Sequence, residues 1–311
     1  MRKLFSLLIL LLVLAGIGGF LYWADLRPSA HYLSDLRSHT HGEPRPERSA
    51  GNLLLIRPQL FPLDYQSPAH LRLKLAAALD RARDEGLLGS DTLVVFPEHI
   101  GTWLLARDEK PEFYRARSRQ EVRDWLLLGN PLLAVRVLLE NLDADRLDEA
   151  LLRMKAEGMA QDYQTLFSGL AREYEVALIA GSILLPEPQL REGELHSGDG
   201  ALRNLSLVFA ADGSILGEPY EEAWPWQAHD ARQQIPHAAG LIAIERSWQP
   251  GYPQSQVRLP DASSSPPLFL RGKLSWPIGG ASRDIELTPT QAEQASAEPG
   301  SHLINIWIAP R

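Results

Sequence analysis

The sequence predicts an α/β protein, a mixed sheet with helices laid on it, carried behind one N-terminal transmembrane helix. Three observations predict it. Residues 4–23 form a nearly unbroken apolar stretch, short apolar runs alternate with helical patterns from residue 52 onward, and an Asp-Gly turn signal sits between two extended runs near residue 212.

The apolar stretch, LFSLLILLLVLAGIGGFLYW, is interrupted only by Ser6 and is long enough to cross the hydrocarbon core of a bilayer as a helix. Arg2 and Lys3 precede it and favour the cytoplasmic side, so the rest of the chain is expected to face outward. A secretory signal has a shorter apolar run followed by small residues at a cleavage site. Here the run continues into Phe20, Tyr22 and Trp23, the residues of an interfacial anchor, and the expectation is an uncleaved helix. The expected location is the inner membrane, single-pass, with the C-terminal domain periplasmic and lipid as the partner of residues 4–23.

Residues 28–50 are rich in Pro, Ser, His and charge without periodicity and read as a flexible tether behind the anchor of residues 1–27. The domain of residues 51–311 opens with a strand at 52–56. A helix at 70–86, a strand at 92–96, a helix at 161–175 and a strand at 176–180 follow, the last ending in Gly181-Ser182. ALRNLSLVFAADGSILGEPY then reads as a β-hairpin turning at residues 211–214. The connection between Glu98 and Val176 exceeds an ordinary strand-to-helix link and holds a helical insertion at about 107–160, split at Asn130-Pro131. Its apolar segment 125–140 reads either as extra core cover, the plainer use, or as a surface that rests on the membrane or a partner. The last third is less regular, with a β run near 268–275 and a final strand in HLINIWIAPR.

Composition narrows the function classes. A chain of 311 residues, 45% hydrophobic and 23% charged, can bury one large core or two small ones. It has no cysteine, which removes disulfides, thiolate nucleophiles, Cys-based metal sites and lipid attachment through Cys. Arg2, Lys3 and Arg27 against Asp25 leave the first 27 residues at +2, so the remainder carries −10 of the formal −8, the wrong sign for a nucleic-acid surface. Neither a Gly-rich phosphate loop nor zinc spacing is present, and no cofactor or metal is expected.

One residue stands out for chemistry. In DTLVVFPEHIGTW, a buried strand ends in Pro and then Glu98, and the carboxyl ends of the strands are where an α/β sheet keeps its binding crevice. Glu98 could serve there as a general base. An isolated carboxylate at such a rim serves more often as a cap for the next turn or as the partner of an arginine.

Its surroundings shift that balance. LVVFPE, then a helix leading into VALIAGS, then LRNLSLVFAADGSILGEPY, in this order, resemble the nitrilase or carbon–nitrogen hydrolase superfamily from about residue 52 to residue 220. The resemblance implies an α-β-β-α sandwich, often dimerising through its helices, and a Glu-Lys-Cys triad acting on amides and nitriles. It implies in turn a small amide-like ligand and a homodimer. Carried over residue by residue, Glu98 falls on the general-base position. The lysine position, two residues after Tyr220, holds Glu222. The nucleophile position, near residues 272–277, offers Ser275 in place of cysteine.

The loss can be weighed. In that chemistry the ammonium stabilises a developing oxyanion, and removing one such donor costs on the order of 3–4 kcal/mol. A carboxylate there adds negative charge where negative charge must grow, which is worse. Ser275 with Lys273, two residues away on one strand face, would be a substitute nucleophile pair, although a solvent-facing strand end explains both equally well.

The other candidates are weaker. His39 and His41 fall in the tether, where a loosely bound metal competes with plain solvated linker. His229 and His237, near Trp224 and Trp226, read as loop packing before they read as a pocket mouth. Three functional readings follow in this order: a degenerate, non-catalytic hydrolase fold (a pseudoenzyme) that binds a ligand or partner, an active amidase-type hydrolase with a non-cysteine nucleophile, and an envelope scaffold using residues 125–140.

Overall fold

The computed structural model describes residues 2–27, 32–140, 144–224, 231–249, 252–258, 268–270, 273–274 and 299–310. In chain order the elements are α1 (Arg2–Asp25), β1 (Ser38–His41), β2 (Asn52–Arg57), β3 (Gln59–Leu60), α2 (Pro68–Asp84), β4 (Thr92–Val95), α3 (Arg119–Gly129), α4 (Pro131–Glu140) and α5 (Ala144–Tyr174). The chain continues through β5 (Ala177–Ile179), β6 (Ile183–Pro186), β7 (Gln189–Arg191), β8 (Glu194–His196), β9 (Leu202–Ser206), β10 (Val208–Phe209) and β11 (Tyr220–Ala223). The last elements are β12 (Ala231–His237), β13 (Gly240–Gln249), β14 (Tyr252–Arg258), β15 (Leu268–Leu270), β16 (Lys273–Leu274) and β17 (Ser301–Trp307).

The described residues divide into two compact units, one within residues 2–27 and 108–151, the other within residues 32–107, 152–274 and 299–310. The larger unit is built on a six-stranded sheet in the order β1-β17-β2-β4-β5-β10. Its centre, β2-β4-β5, is parallel, with α2 between β2 and β4. Every residue of β2 is buried, as a strand covered on both faces requires, and this explains the unalternating NLLLIR. One face of the sheet contributes Leu53, Leu55, Leu93, Val95, Ile179 and Ile304 to a cluster with Ile235, Ile242 and Ile244 of β12 and β13. The α-helices belong to the larger core as well: Phe167 of α5 meets Phe96 at 5.5 Å between ring centroids, and the Tyr174 hydroxyl donates to the Ala76 carbonyl of α2 at 3.1 Å. Ser67 caps α2, its hydroxyl accepting from His70 N at 3.2 Å with Pro68 at the first helical position.

The sequence expectations meet this fold unevenly. The parallel strands, α2 and the final strand fall where the pattern puts them. Within the stretch 28–50, read from composition as a tether, residues 38–41 instead form β1, which pairs in parallel with β17. His41 Nε2 lies 2.8 Å from His302 Nδ1, and His39 stacks on the same ring at 5.3 Å. A strand that pairs with a segment some 260 residues later leaves no local signal in SHTH. Residues 231–237, expected as a loop, form β12; His237 Nδ1 accepts from Ala239 N at 3.1 Å across the turn, and its Nε2 lies 3.0 Å from the Asp91 carbonyl. His229 and Trp226 lie outside the described residues. The hairpin expected at 211–214 is reduced to a bridge between Phe209 and Ile215, because β10 pairs with β5 while β9 pairs with β6 and β11.

The smaller unit holds α1, α3, α4 and the segment leading to them. α1 has 24 residues, a mean hydropathy of 2.7 over its most apolar window and none of that window buried, so it is long and apolar enough to cross a membrane. Asn130 ends α3 and Pro131 starts α4, as the split predicts.

Candidate active site

Glu98 is set by a turn that β4 and β5 build together. Phe96 N donates to the Ile179 carbonyl at 3.0 Å, after which Pro97 brings no N–H and the chain leaves the ladder. His99 then adopts a φ of 58°, a left-handed conformation costly for a residue with a Cβ. The turn is held from several directions. His99 N donates to Ser182 Oγ at 2.7 Å, Gly101 N donates to the Ser182 carbonyl at 2.9 Å, and the Tyr65 hydroxyl donates to the Ile100 carbonyl at 3.0 Å. Thr102 Oγ1 accepts from Leu184 N at 3.0 Å and lies 3.2 Å from His99 Nδ1.

Gly181 shows why the second motif ends as it does. Its φ is 72°, and a Cβ there would overlap the Pro97 carbonyl, so only glycine lets the two strand ends close on each other. Its own carbonyl accepts from the Tyr163 hydroxyl at 3.2 Å, and that oxygen accepts from Leu207 N at 3.3 Å. The FPEH and AGS motifs are thus two halves of one interlocked structure that aims Glu98.

The other side of the site comes from β9 and β11. In register, Asn204 stands opposite Glu222 on β11 and Leu184 on β6, and Ser206 stands opposite Tyr220. Asn204 Nδ2 donates to Glu98 Oε2 at 3.4 Å, and the Tyr220 hydroxyl donates to Glu222 Oε1. Glu98 and Glu222 are 5% and 4% exposed, two buried carboxyl groups of which the first accepts from Asn204 and the second stands opposite Asn204 in register. Asn204 Oδ1 and Ser206 Oγ are buried with no hydrogen-bond partner among the described residues, a condition rare enough in folded proteins to need a reason. The His99 ring stands edge-on to Trp224 at 5.3 Å beside them.

Ser275 lies outside the described residues. Lys273 falls in β16, in register with Gln59 of β3. Among the described residues no group of His, Asp and Glu could hold a metal ion, the histidines of β1 included.

Sequence reasoning gave no role to Asn204, Tyr163, Ser182 or Tyr220. A faint signal existed for two of them. Asn204 is an uncharged polar residue inside the apolar run LRNLSLVF, and Tyr163 shares the apolar face of α5 with Phe167, Leu170 and Tyr174 at helical spacing.

No family model matches the chain, and no curated protein matches it. Among solved structures it is similar to a glutamate-to-glutamine mutant of the amidase from Nesterenkonia sp. AN1, described with the acetamide moiety of fluoroacetamide added covalently at its active-site cysteine. The identity is 14% and the TM-score 0.32, over 65% of this chain and 57% of the amidase, a likeness too slight to carry chemistry across.

Proposed function

We propose that this chain is a membrane-anchored, carbon–nitrogen hydrolase-like protein that binds a small ligand at Glu98 without hydrolysing it. The observation that carries the proposal is Glu222, buried opposite Asn204 where the resemblance expects a lysine. An oxyanion growing beside it would meet a carboxyl group instead of an ammonium, and electrostatic stabilisation is usually the largest catalytic contribution. In this reading the domain keeps the α-β-β-α sandwich of its resemblance, α1 anchors it in the inner membrane, and the domain lies in the periplasm.

The same groups define what the site would bind. The Asn204 Oδ1 atom offers a buried acceptor beside Glu98, and Ser206 Oγ adds a hydroxyl that can donate or accept. A ligand that brings N–H donors, such as a primary amide, satisfies the buried Oδ1 and gains the desolvation cost that an unpaired acceptor otherwise pays.

The test uses the full-length chain in detergent. Ammonia release from a panel of small amides and nitriles is measured beside Glu98→Gln, together with thermal stabilisation by the same compounds. The expected result is no ammonia above background and an amide-dependent rise in Tm that Glu98→Gln removes. Turnover that disappears in Glu98→Gln would overturn the proposal in favour of an active amidase, with Ser275→Ala as the next variant.

A further inference from the structure

We propose that the exposed apolar stripe of α4 rests on the lipid bilayer at the level where α1 leaves it. Leu132, Val135 and Leu139 are 83%, 53% and 79% exposed, and they recur at the helical spacing that puts them on one face. Exposed leucines in such a row mark an interaction surface rather than a solvated helix.

What names the bilayer as the occupant is the attachment of this helix pair to the end of α1. Lys110 Nζ donates to the carbonyls of Trp23 and Leu26 at 2.6 and 2.7 Å and lies 4.1 Å from the Trp23 ring centroid, so it satisfies C-terminal carbonyls of α1 and contacts its aromatic anchor in one step. Arg27 Nη2 donates to the Gly129 carbonyl, the last residue of α3, at 2.6 Å. Asn130, at the α3–α4 junction, donates to both carboxyl oxygens of Glu109 at 3.2 and 3.3 Å. The junction is therefore fixed to the turn in which α1 ends.

Trp23 belongs at the membrane–water boundary if α1 spans, and whatever is tied to it within one helical turn stands at the same height. α4 begins there. In this proposal its stripe of Leu132, Val135 and Leu139 extends the apolar surface of α1 along the interface. A second protein would cover the same side chains, but it would not explain why the stripe starts three residues after Gly129, where the helix pair is bonded to the end of α1.

The inference rests on reading α1 as a membrane anchor, and the test separates the two. Because the chain has no cysteine, Leu139→Cys and, as control, Glu218→Cys can each carry a single environment-sensitive fluorophore on the full-length protein. The proteins are reconstituted in phosphatidylethanolamine/phosphatidylglycerol vesicles and recovered by flotation. The expected result is a blue-shifted label at position 139, quenched several-fold more by lipids bearing a shallow acyl-chain quencher than the label at position 218. A label at position 139 that is as water-accessible as the control, on protein that floats with the vesicles, overturns the docking and leaves the anchor standing. Shielding from aqueous quencher without lipid quenching also overturns it, in favour of a protein contact. Failure to float overturns the anchor itself and the docking with it.

Discussion

At the scale of single residues, the candidate site depends on atoms that do no chemistry. Gly181 must lack a Cβ because Pro97 closes on it, and it must accept a left-handed φ of 72°. Gly181→Ala is therefore expected to cost about 2–3 kcal/mol in chemical denaturation and to weaken ligand binding at Glu98. Tyr163 acts through a single oxygen, which bridges the Gly181 carbonyl and Leu207 N. Tyr163→Phe leaves both groups buried without that partner, and a loss of about 1–3 kcal/mol in the same measurement is expected. From sequence Gly181 reads only as the end of a strand motif and Tyr163 only as part of an apolar helix face. A glycine before a serine and a tyrosine on a helix face are common, and their meaning comes from the strand end that each one touches.

At the scale of elements, β1 is the least anticipated part of the fold. Three contacts keep it in place: its parallel pairing with β17, the close approach of His41 to His302, and the preceding turn, in which Asp35 and Arg37 pair at 2.7 Å and the Asp35 carbonyl accepts from Lys74 of α2. His302→Ala is expected to lower stability by about 1–2 kcal/mol and to raise hydrogen exchange along β1 more than along β2. The Asp35 turn has a pH signature. The hydrogen bond from Arg37 lowers the Asp35 carboxyl from 3.8 to about 2. A carboxyl lowered on folding stabilises the protein above its unfolded value, and that contribution disappears as pH falls from about 4 through about 2. Arg37 is 64% exposed, so solvent screens the pair and Asp35→Asn should cost less than about 1 kcal/mol at pH 7. The difference between wild type and Asp35→Asn should close in urea titrations below about pH 3.

At the scale of the whole molecule, two uses are distributed over two units. The larger one carries Glu98, Asn204 and Glu222; the smaller one carries α1 and the helices fixed to its end. Within the smaller unit Lys110 is the main attachment, and Lys110→Met should speed amide exchange over residues 24–27 roughly tenfold, as the loss of about 1.4 kcal/mol of hydrogen bonding would do. Unchanged exchange there would mean that α1 ends independently of the helical insertion.

The sequence by itself determined what depends on neighbours along the chain. An unbroken apolar run fixed α1, the burial of β2 and β4 was written in consecutive aliphatic residues, Pro after Asn fixed the α3–α4 break, and Glu98 was legible because a charge directly follows a buried strand. Only the tertiary structure decided what meets across the chain: that Asn204 donates to Glu98 and stands in register with Glu222, that Ser182 and Tyr163 hold the turn, that β1 leaves the apparent tether to pair with β17, and that Lys110 closes the end of α1. The reason is physical. Hydrophobic burial and helix breaking act over a few residues and leave a periodic or compositional trace, whereas a hydrogen bond between residues a hundred positions apart constrains each partner to be merely polar.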